Sequence, residues 1–462
     1  MTTIAVVSAP ATATSAELVD RRRRPSNSAA PSTFPGPDRL PAFRFDVAVV
    51  GLGYVGLPTT LAFHTAGSRV LGVDVSEARL DEISNGQADL VSSDRIRLRA
   101  ALQAKVGTFD LTCDLSRLSE ARTVIICVPT PVDAYLVPNT TILRSACAAV
   151  VAAAVAGQVL VLTSTTYVGT TTDLLVAPLA ARGLLAGTDI AVAFSPERID
   201  PGNDRHAHEA VPRVVGGATP SCTMRAARSL AGYAHHVHQV SSPGVAELTK
   251  LVENTFRAVN IALANELAEI AGALGLDVVE VIEAAATKPY GFMPFFPGPG
   301  VGGHCIPCDP HYLLWQLRSA RLSTPVIEQA MNGIAGRPRR VVQRAGEALA
   351  AGGRAVAGSR VLLVGVAYKP DVQDVRQSPA LEILTELAAL GANVGYHDHL
   401  VPQLQLPGGA ELTHIDDPVA FAADLVVVHT AHSHTDLDWL AGVPIVLDTT
   451  YRMTGLPRRV VV

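Results

Sequence analysis

One thiol of this chain stands in a run dominated by glycine and proline, Gly298-Pro299-Gly300-Val301-Gly302-Gly303-His304-Cys305-Ile306-Pro307-Cys308-Asp309-Pro310. Backbone without side chains turns sharply and approaches small molecules closely. Far upstream, Gly51-Leu52-Gly53-Tyr54-Val55-Gly56 follows the β-branched stretch Val47-Ala48-Val49-Val50. A thiol paired with a hydride acceptor suggests oxidation through a covalent thioester. The thiolate adds to an aldehyde, hydride leaves the thiohemiacetal, and water cleaves the acyl-enzyme to the acid.

The upstream run has the G-x-G-x-x-G pattern where a strand should end and a helix begin. Its first glycine permits the tight turn, the second admits a pyrophosphate to the backbone, and the third lets helix pack on strand. Helix N-terminal amides then hold the phosphates. Asp74 closes the next strand, Leu71-Gly72-Val73-Asp74, where a carboxylate accepts hydrogen bonds from ribose hydroxyls and repels a 2'-phosphate. The expected cofactor is therefore NAD rather than NADP, bound by Gly51, Gly53, Tyr54, Val55, Gly56 and Asp74.

The elements that must position these groups follow from hydrophobic patterning. Asp46–Val50, Arg69–Val73, Thr123–Cys127, Val159–Leu162 and Ile190–Ala193 are near-continuous apolar runs, as strands buried on both faces must be. Their alternation with helical stretches argues for a doubly wound parallel sheet. From about Gly244 to Leu274 the spacing becomes helical in one long amphipathic segment, a spine between domains. After Gly358 the alternation resumes with Arg360–Val364, Asn393–Tyr396, Asp424–Val428 and Pro444–Leu447. Two α/β sheets thus flank a helical middle.

Bulk properties bound the partners. A chain of 462 residues exceeds one core, and a net charge of -5 gives no electrostatic case for nucleic acid or an anionic membrane. Ala146 to Leu162 is the nearest approach to a membrane span, but Gly157-Gln158 splits it into a helix and a strand. Six scattered cysteines fit reduced thiols in a cytoplasm. Residues 1–44, rich in Ala, Ser, Thr and Pro around Arg21–Arg24, are expected to form a disordered leader.

The glycine loop, Cys127-Val128-Pro129-Thr130-Pro131, Phe194-Ser195-Pro196-Glu197-Arg198, the Lys250 helix, the Cys305 loop and Ala367–Arg376 occur in one order. In this the chain resembles the UDP-glucose/GDP-mannose dehydrogenase family over about residues 45 to 450. Thr287–Gly300 looks most like the branch that oxidises UDP-N-acetylhexosamines, notably UDP-N-acetylglucosamine 6-dehydrogenases. The resemblance implies an α/β fold: an N-terminal Rossmann domain, a central all-helical dimerisation domain with a long helix, and a C-terminal Rossmann-like domain. The limits expected here are a leader at 1–44, an NAD-binding domain at 45–215, a central domain with catalytic Lys and Cys at 216–340, and a UDP-sugar-binding domain at 356–455. It also implies a homodimer, a UDP-sugar substrate, two NAD used in turn to oxidise a C6 alcohol to the acid, and a product for surface polysaccharide synthesis.

Carried over by position, Cys305 is the nucleophile. Lys250 stabilises the alkoxide or relays its proton, and Asn254, one helical turn on, fixes substrate or water. An ammonium beside a thiol would also favour thiolate. Glu197 is the general acid/base of thioester hydrolysis, and Asp309 assists Lys250 and the water. Thr130 and Thr165 are expected at the cofactor or sugar. Gly302, Lys369 and Arg376 are expected at the substrate, Arg376 through a bidentate fork. No metal is assigned: Cys305-x-x-Cys308 beside His304, Asp309 and His311 lacks the second ligand pair of a structural zinc site, and His429, His432 and His434 read as loop histidines. Relatives of this branch usually carry an aliphatic residue where Cys308 stands, which leaves open a redox pair and, ahead of a metal site, inactivation by an adventitious disulfide. The alternatives are a UDP-glucose or UDP-N-acetylmannosamine 6-dehydrogenase, a two-electron NAD hydroxyacid dehydrogenase, and a catalytically idle NAD-binding protein. The intact set of Cys305, Lys250, Glu197 and Asp309 argues against the last.

Overall fold

The computed structural model describes residues 42–198, 207–303 and 305–462. His304 and nearly all of the leader expected at 1–44 lie outside the described residues.

The first sheet holds β1 (Phe45–Val50), β2 (Val70–Val73), β3 (Phe109–Thr112), β4 (Ala121–Ile126), β5 (Val159–Leu162), β6 (Ala191–Phe194), β7 (Arg213–Gly217) and β8 (Val237–Val240) in the order β3-β2-β1-β4-β5-β6-β7-β8. All neighbours are parallel except β6 and β7. Successive side chains of a strand point to opposite faces, and both faces here are covered. Val47, Val49, Ile125 and Val161 enter one core, while Ala48, Val50, Val124, Ile126, Leu160 and Leu162 enter another. Each of the buried Val, Leu and Ile side chains contributes about 1.5–3 kcal/mol, so the strands read as unbroken apolar runs. The segment Ala146 to Leu162 divides as its glycine indicates, into helix Thr141–Ala153 and strand β5.

The second sheet contains β9 (Arg360–Val364), β10 (Asn393–His397), β13 (Leu425–Val428), β14 (Val446–Asp448) and β15 (Arg459–Val461), all parallel, in the order β10-β9-β13-β14-β15. A small hairpin of β11 (Gln403–Gln405) and β12 (Glu411–Thr413) lies beside it. Leu362, Val364, Val426 and Val428 face one core; Val361, Leu363, Val427 and Leu447 face the other.

Between the sheets run helices Pro243–Ala273, Val278–Ala286, Asp309–Ser319 and Pro325–Ala351. The first, 31 residues long, is the expected spine. Pro243 occupies its first turn, where a missing N–H costs nothing, and the Ser242 hydroxyl accepts from Val245 N at 3.3 Å. One boundary moves. The expected limit at 215 falls inside β7, because the first sheet runs on through β8 to Val240. Among the described residues no helix is long and apolar enough to cross a membrane.

Candidate active site

In both sheets the strand order reverses at one point, between β1 and β4 in the first and between β9 and β13 in the second. Open α/β sheets bind ligands in the crevice at such points. The two crevices are built alike. Gly51 has φ +92°, and a Cβ there would lie 2.3 Å from the Cys127 carbonyl oxygen; Gly365 has φ +74°, and its Cβ would lie 1.8 Å from the Thr430 carbonyl oxygen. Only glycine lets these strand ends approach so closely. A carboxylate from the neighbouring strand end then holds each loop. Leu52 N donates to Asp74 Oδ2 at 2.7 Å, and Val366 N donates to Asp398 Oδ2 at 2.7 Å.

The carboxylates differ in what remains. Asp74 is half-buried at the crevice. Asp398 is buried, accepts from His432 Nε2 at 3.1 Å, and is held down at about 2 by the His432 and backbone bonds despite burial pushing it up. His432 also accepts from Asp371 N through Nδ1 at 2.8 Å. His432 therefore braces the second crevice, and among the described residues no group of three or more His, Cys, Asp or Glu forms a metal cluster.

The first crevice fits a dinucleotide. A Cβ on Gly56 would come 1.8 Å from the Gly51 carbonyl oxygen, so the helix Gly56–Thr65 seats tightly on the turn, whereas a Cβ on Gly53 would meet nothing within 4 Å. The open side of Gly53 is where a pyrophosphate can reach the backbone. Val55 caps this helix, and Tyr54 projects outward, 43% exposed. The Arg376 guanidinium lies 4.5 Å from the Tyr54 ring centroid. Arg376 also grips Asp374, with Nη2 2.5 Å from Oδ2. Its fork is thus engaged with Asp374 and the glycine loop, while Lys369 is half-buried in the same segment after β9.

A carboxyl cluster lies between the sheets. Lys250 and Asp309 are buried at 9% and 3% exposure. Asn254 Nδ2 donates to Asp309 Oδ2, and the Thr165 hydroxyl bonds the same carboxyl. Burial pushes Asp309 up; the Lys250 ammonium and the bonds from Asn254 and Thr165 pull it back, leaving it at about 6. Such a carboxyl is poised to exchange a proton near neutrality. Asp309 N donates to the Cys305 carbonyl at 2.8 Å, which places the exposed nucleophile candidate one turn before the carboxyl. Thr165 thus serves the Asp309 carboxyl, and Thr130 meets the same helix through its carbonyl, which accepts from Tyr312 Oη at 3.1 Å.

The loop before Cys305 is clamped by the last domain. A Cβ on Gly302 would fall 2.6 Å from Tyr368 Cβ and 2.8 Å from the Gln377 carbonyl oxygen, and Gly303 N donates to the Arg376 carbonyl at 3.1 Å. Gly302, expected at the substrate, is required first by this packing.

The setting of Glu197 fixes its charge. Arg213 Nη1 approaches its Oε1 at 2.5 Å, and Arg213 is 1% exposed. Burial pushes Glu197 up, but the charges of Arg213 and His208 and the Arg213 bond outweigh it and hold the carboxyl at about 2. Held in this way the carboxyl rests ionised, the form in which a general base accepts a proton.

Residues 45–235 match the NAD-binding domain of the UDP-glucose/GDP-mannose dehydrogenase family, residues 244–333 its central domain, and residues 362–453 its UDP-binding domain. The chain belongs to this family. As a member it is an NAD-dependent nucleotide-sugar dehydrogenase. It is 34% identical over 393 residues to the UDP-N-acetyl-D-glucosamine 6-dehydrogenase of Pseudomonas aeruginosa, covering 84% of this chain and 90% of that protein. It is 32% identical to the UDP-N-acetyl-D-mannosamine dehydrogenase of Escherichia coli K12, covering 84% and 93%. The solved UDP-D-ManNAc dehydrogenase of Pyrococcus horikoshii superposes with a TM-score of 0.82 at 29% identity, covering 90% of this chain and 98% of that one.

Three further residues of this dehydrogenase hold the site without having been singled out from sequence. Glu247, on the same helix face as Lys250 and Asn254, is buried and accepts from Gly169 N at 2.6 Å, Thr171 N at 2.8 Å and Thr171 Oγ1 at 2.7 Å, fastening the spine to the loop that carries Thr165. Asn265 Oδ1 accepts from Gly298 N at 3.0 Å, and buried Arg337 donates through Nε to the Gly298 carbonyl at 2.9 Å and through Nη2 to Tyr451 Oη at 3.0 Å. The i, i+3, i+7 spacing of Glu247, Lys250 and Asn254 was the available signal for the first.

Proposed function

We propose that this dehydrogenase oxidises the C6 alcohol of a UDP-N-acetylhexosamine, foremost UDP-N-acetylglucosamine, to the uronic acid in four electrons through a thioester on Cys305. The observation that carries the reading is the Asp309 carboxyl, tuned to about 6 between Lys250, Asn254 and Thr165 and one turn from an exposed thiol. Bound NAD supplies the hydride acceptor at each oxidation. Asp309 takes the proton from the C6 hydroxyl in the first step, while the Lys250 ammonium stabilises the developing alkoxide. Cys305 then adds to the aldehyde, forming the C–S bond, while the carbonyl oxygen gains the proton. After the second oxidation, Asp309 takes a proton from water, which displaces Cys305 and leaves the carboxylate. Glu197, ionised, accepts a hydrogen bond from that water.

Gly51, Gly53, Val55 and Gly56 support the cofactor's pyrophosphate, and Asp74 supports its ribose. Lys369 supports the substrate diphosphate at the second crevice, while Arg376, its fork held by Asp374, braces the same segment against the cofactor loop. The likeness to a UDP-N-acetylmannosamine dehydrogenase in both sequence and structure sustains a second reading of the sugar alone. A homodimer is supported by the spine helix, whose Val245, Leu248, Val252, Phe256, Leu263 and Ile270 are all at least 39% exposed and lie along one stripe. Six scattered thiols support a cytoplasmic setting. The test is kcat/KM for UDP-N-acetylglucosamine, UDP-N-acetylmannosamine and UDP-glucose. Highest turnover of the first is expected; preference for UDP-glucose, which lacks the acetamido group, would overturn the N-acetylhexosamine assignment.

A further inference from the structure

Cys308 is a thiol that the chemistry above leaves unused. It is 2% exposed and caps the helix Asp309–Ser319, and its sulfur lies 3.9 Å from both side-chain amide atoms of Gln377. Cys305, three residues earlier, is exposed. Cys308 N donates to the Cys305 carbonyl at 3.2 Å and Asp309 N to the same oxygen at 2.8 Å, closing one turn between the two cysteines. A turn closed in this way keeps its end Cα atoms within about 7 Å, and a disulfide spans Cα atoms about 4.4–6.8 Å apart. The other four cysteines, Cys113, Cys127, Cys147 and Cys222, belong to the first sheet domain.

We propose that Cys305 and Cys308 form a reversible modification site, in which Cys308 resolves peroxide-oxidised Cys305 into an intramolecular disulfide that stops turnover. The Cys305 thiolate attacks a hydroperoxide oxygen; the S–O bond forms, the O–O bond breaks, and the leaving oxygen departs as water or alcohol after taking a proton. Sulfur is oxidised by two electrons and the peroxide reduced by two. Cys308 sulfur then attacks the sulfenic sulfur; the S–S bond forms, the S–O bond breaks, and hydroxide leaves as water with the Cys308 proton. Burial, with the neighbouring Asp309 charge next, pushes the Cys308 thiol up to about 11. Cys308 thus stays protonated at rest and leaves the first encounter with peroxide to exposed Cys305. The asymmetry of one exposed and one buried sulfur on a single turn gives each a separate task. The outcome is protective, because a sulfenic acid that meets a second hydroperoxide before a thiol takes another oxygen from it and becomes sulfinic acid irreversibly.

The effect on turnover rests on the reading of Cys305 as nucleophile; formation of the disulfide does not. The test treats the full-length enzyme with hydrogen peroxide, alkylates remaining thiols, and maps the tryptic peptide carrying both cysteines, with activity followed before and after dithiothreitol. Wild type is expected to lose activity, yield that peptide unalkylated and lighter by two hydrogens, and recover with dithiothreitol. Cys308→Ser is expected to keep basal activity, lose it under peroxide with Cys305 carrying two added oxygens, and fail to recover. Thermal unfolding of the variant confirms that it folds. Irreversible loss in wild type, or a disulfide to another cysteine, would overturn the proposal. A mapped Cys305–Cys308 disulfide with turnover intact would uphold the site and sink Cys305 as nucleophile.

Discussion

Replacing Asn254 by leucine isolates the tuning of Asp309. Asn254 donates to an Asp309 oxygen inside a cluster where burial opposes ionisation and Lys250 favours it. That bond stabilises the ionised carboxylate, so its loss must raise the pKa. A hydrogen bond to a charged group contributes about 1.5–3 kcal/mol, and a pKa step corresponds to about 1.36 kcal/mol. The pKa should therefore climb by about 1–2 units from its resting value of about 6. Leucine also keeps a replacement water out of the vacated volume. If Asp309 must be ionised to accept a proton, kcat in wild type falls on the acid side of about pH 6, and in Asn254→Leu the same limb moves to between about pH 7 and 8. The assay is NADH formation at saturating nucleotide sugar across the neutral range. An acid limb that stays in place in the variant, or a wild-type limb near the ordinary carboxylate value of about 4, would refute the assignment of Asp309 as the titrating base.

The same carboxyl sets a stability signature. Its folded pKa lies above the ordinary aspartate value of 3.8, so its contribution to stability is full below 3.8 and is lost as pH rises through about 6. The linkage amounts to about 3 kcal/mol over that window, and denaturant titrations of Asp309→Asn should lack this dependence. Gly56→Ala should sharply lower the thermal midpoint and abolish NAD binding in a fluorescence titration, because its Cβ would lie 1.8 Å from the Gly51 carbonyl oxygen; a variant that binds NAD normally would show that the turn relaxes freely. Arg213→Met should cost about 3–5 kcal/mol at neutral pH by stranding the buried Glu197 carboxylate, with most of the loss recovered in the double variant that also carries Glu197→Gln. Glu197 is depressed from 4.5 to about 2, so its contribution in wild type is present above 4.5 and fades as pH falls through about 2.

Sheet strands with both faces buried were legible because burial demands continuous apolar runs, and β1, β4, β5, β9 and β13 all have them. The end of the first domain was not. β7 closes on Gly216-Gly217, and β8 reads Val-His-Gln-Val with no residue fully buried, so neither carries the signal of a doubly covered strand. Chemistry-bearing residues in short motifs were found, but their partners were not. Glu197 was visible in its Ser-Pro-Glu-Arg setting, whereas Arg213, which fixes its charge, lies 16 residues on and reads as an ordinary strand start. Asn265 and Arg337 reach Gly298 from 33 and 39 residues away. Only the folded chain brings such groups together, because no local periodicity encodes a contact between a helix face and a distant loop. The twin crevices were half legible: Gly51 and Asp74 matched a spaced pattern, while Gly365 and Asp398 repeat the same device without its spacing motif.

The thioester route is tested most directly by counting NADH formed per UDP-N-acetylglucosamine consumed to completion. Two oxidations in one site require a ratio near two, with the uronic acid as product. A ratio near one, with aldehyde released into solution, would contradict it and remove Cys305 from the chemistry.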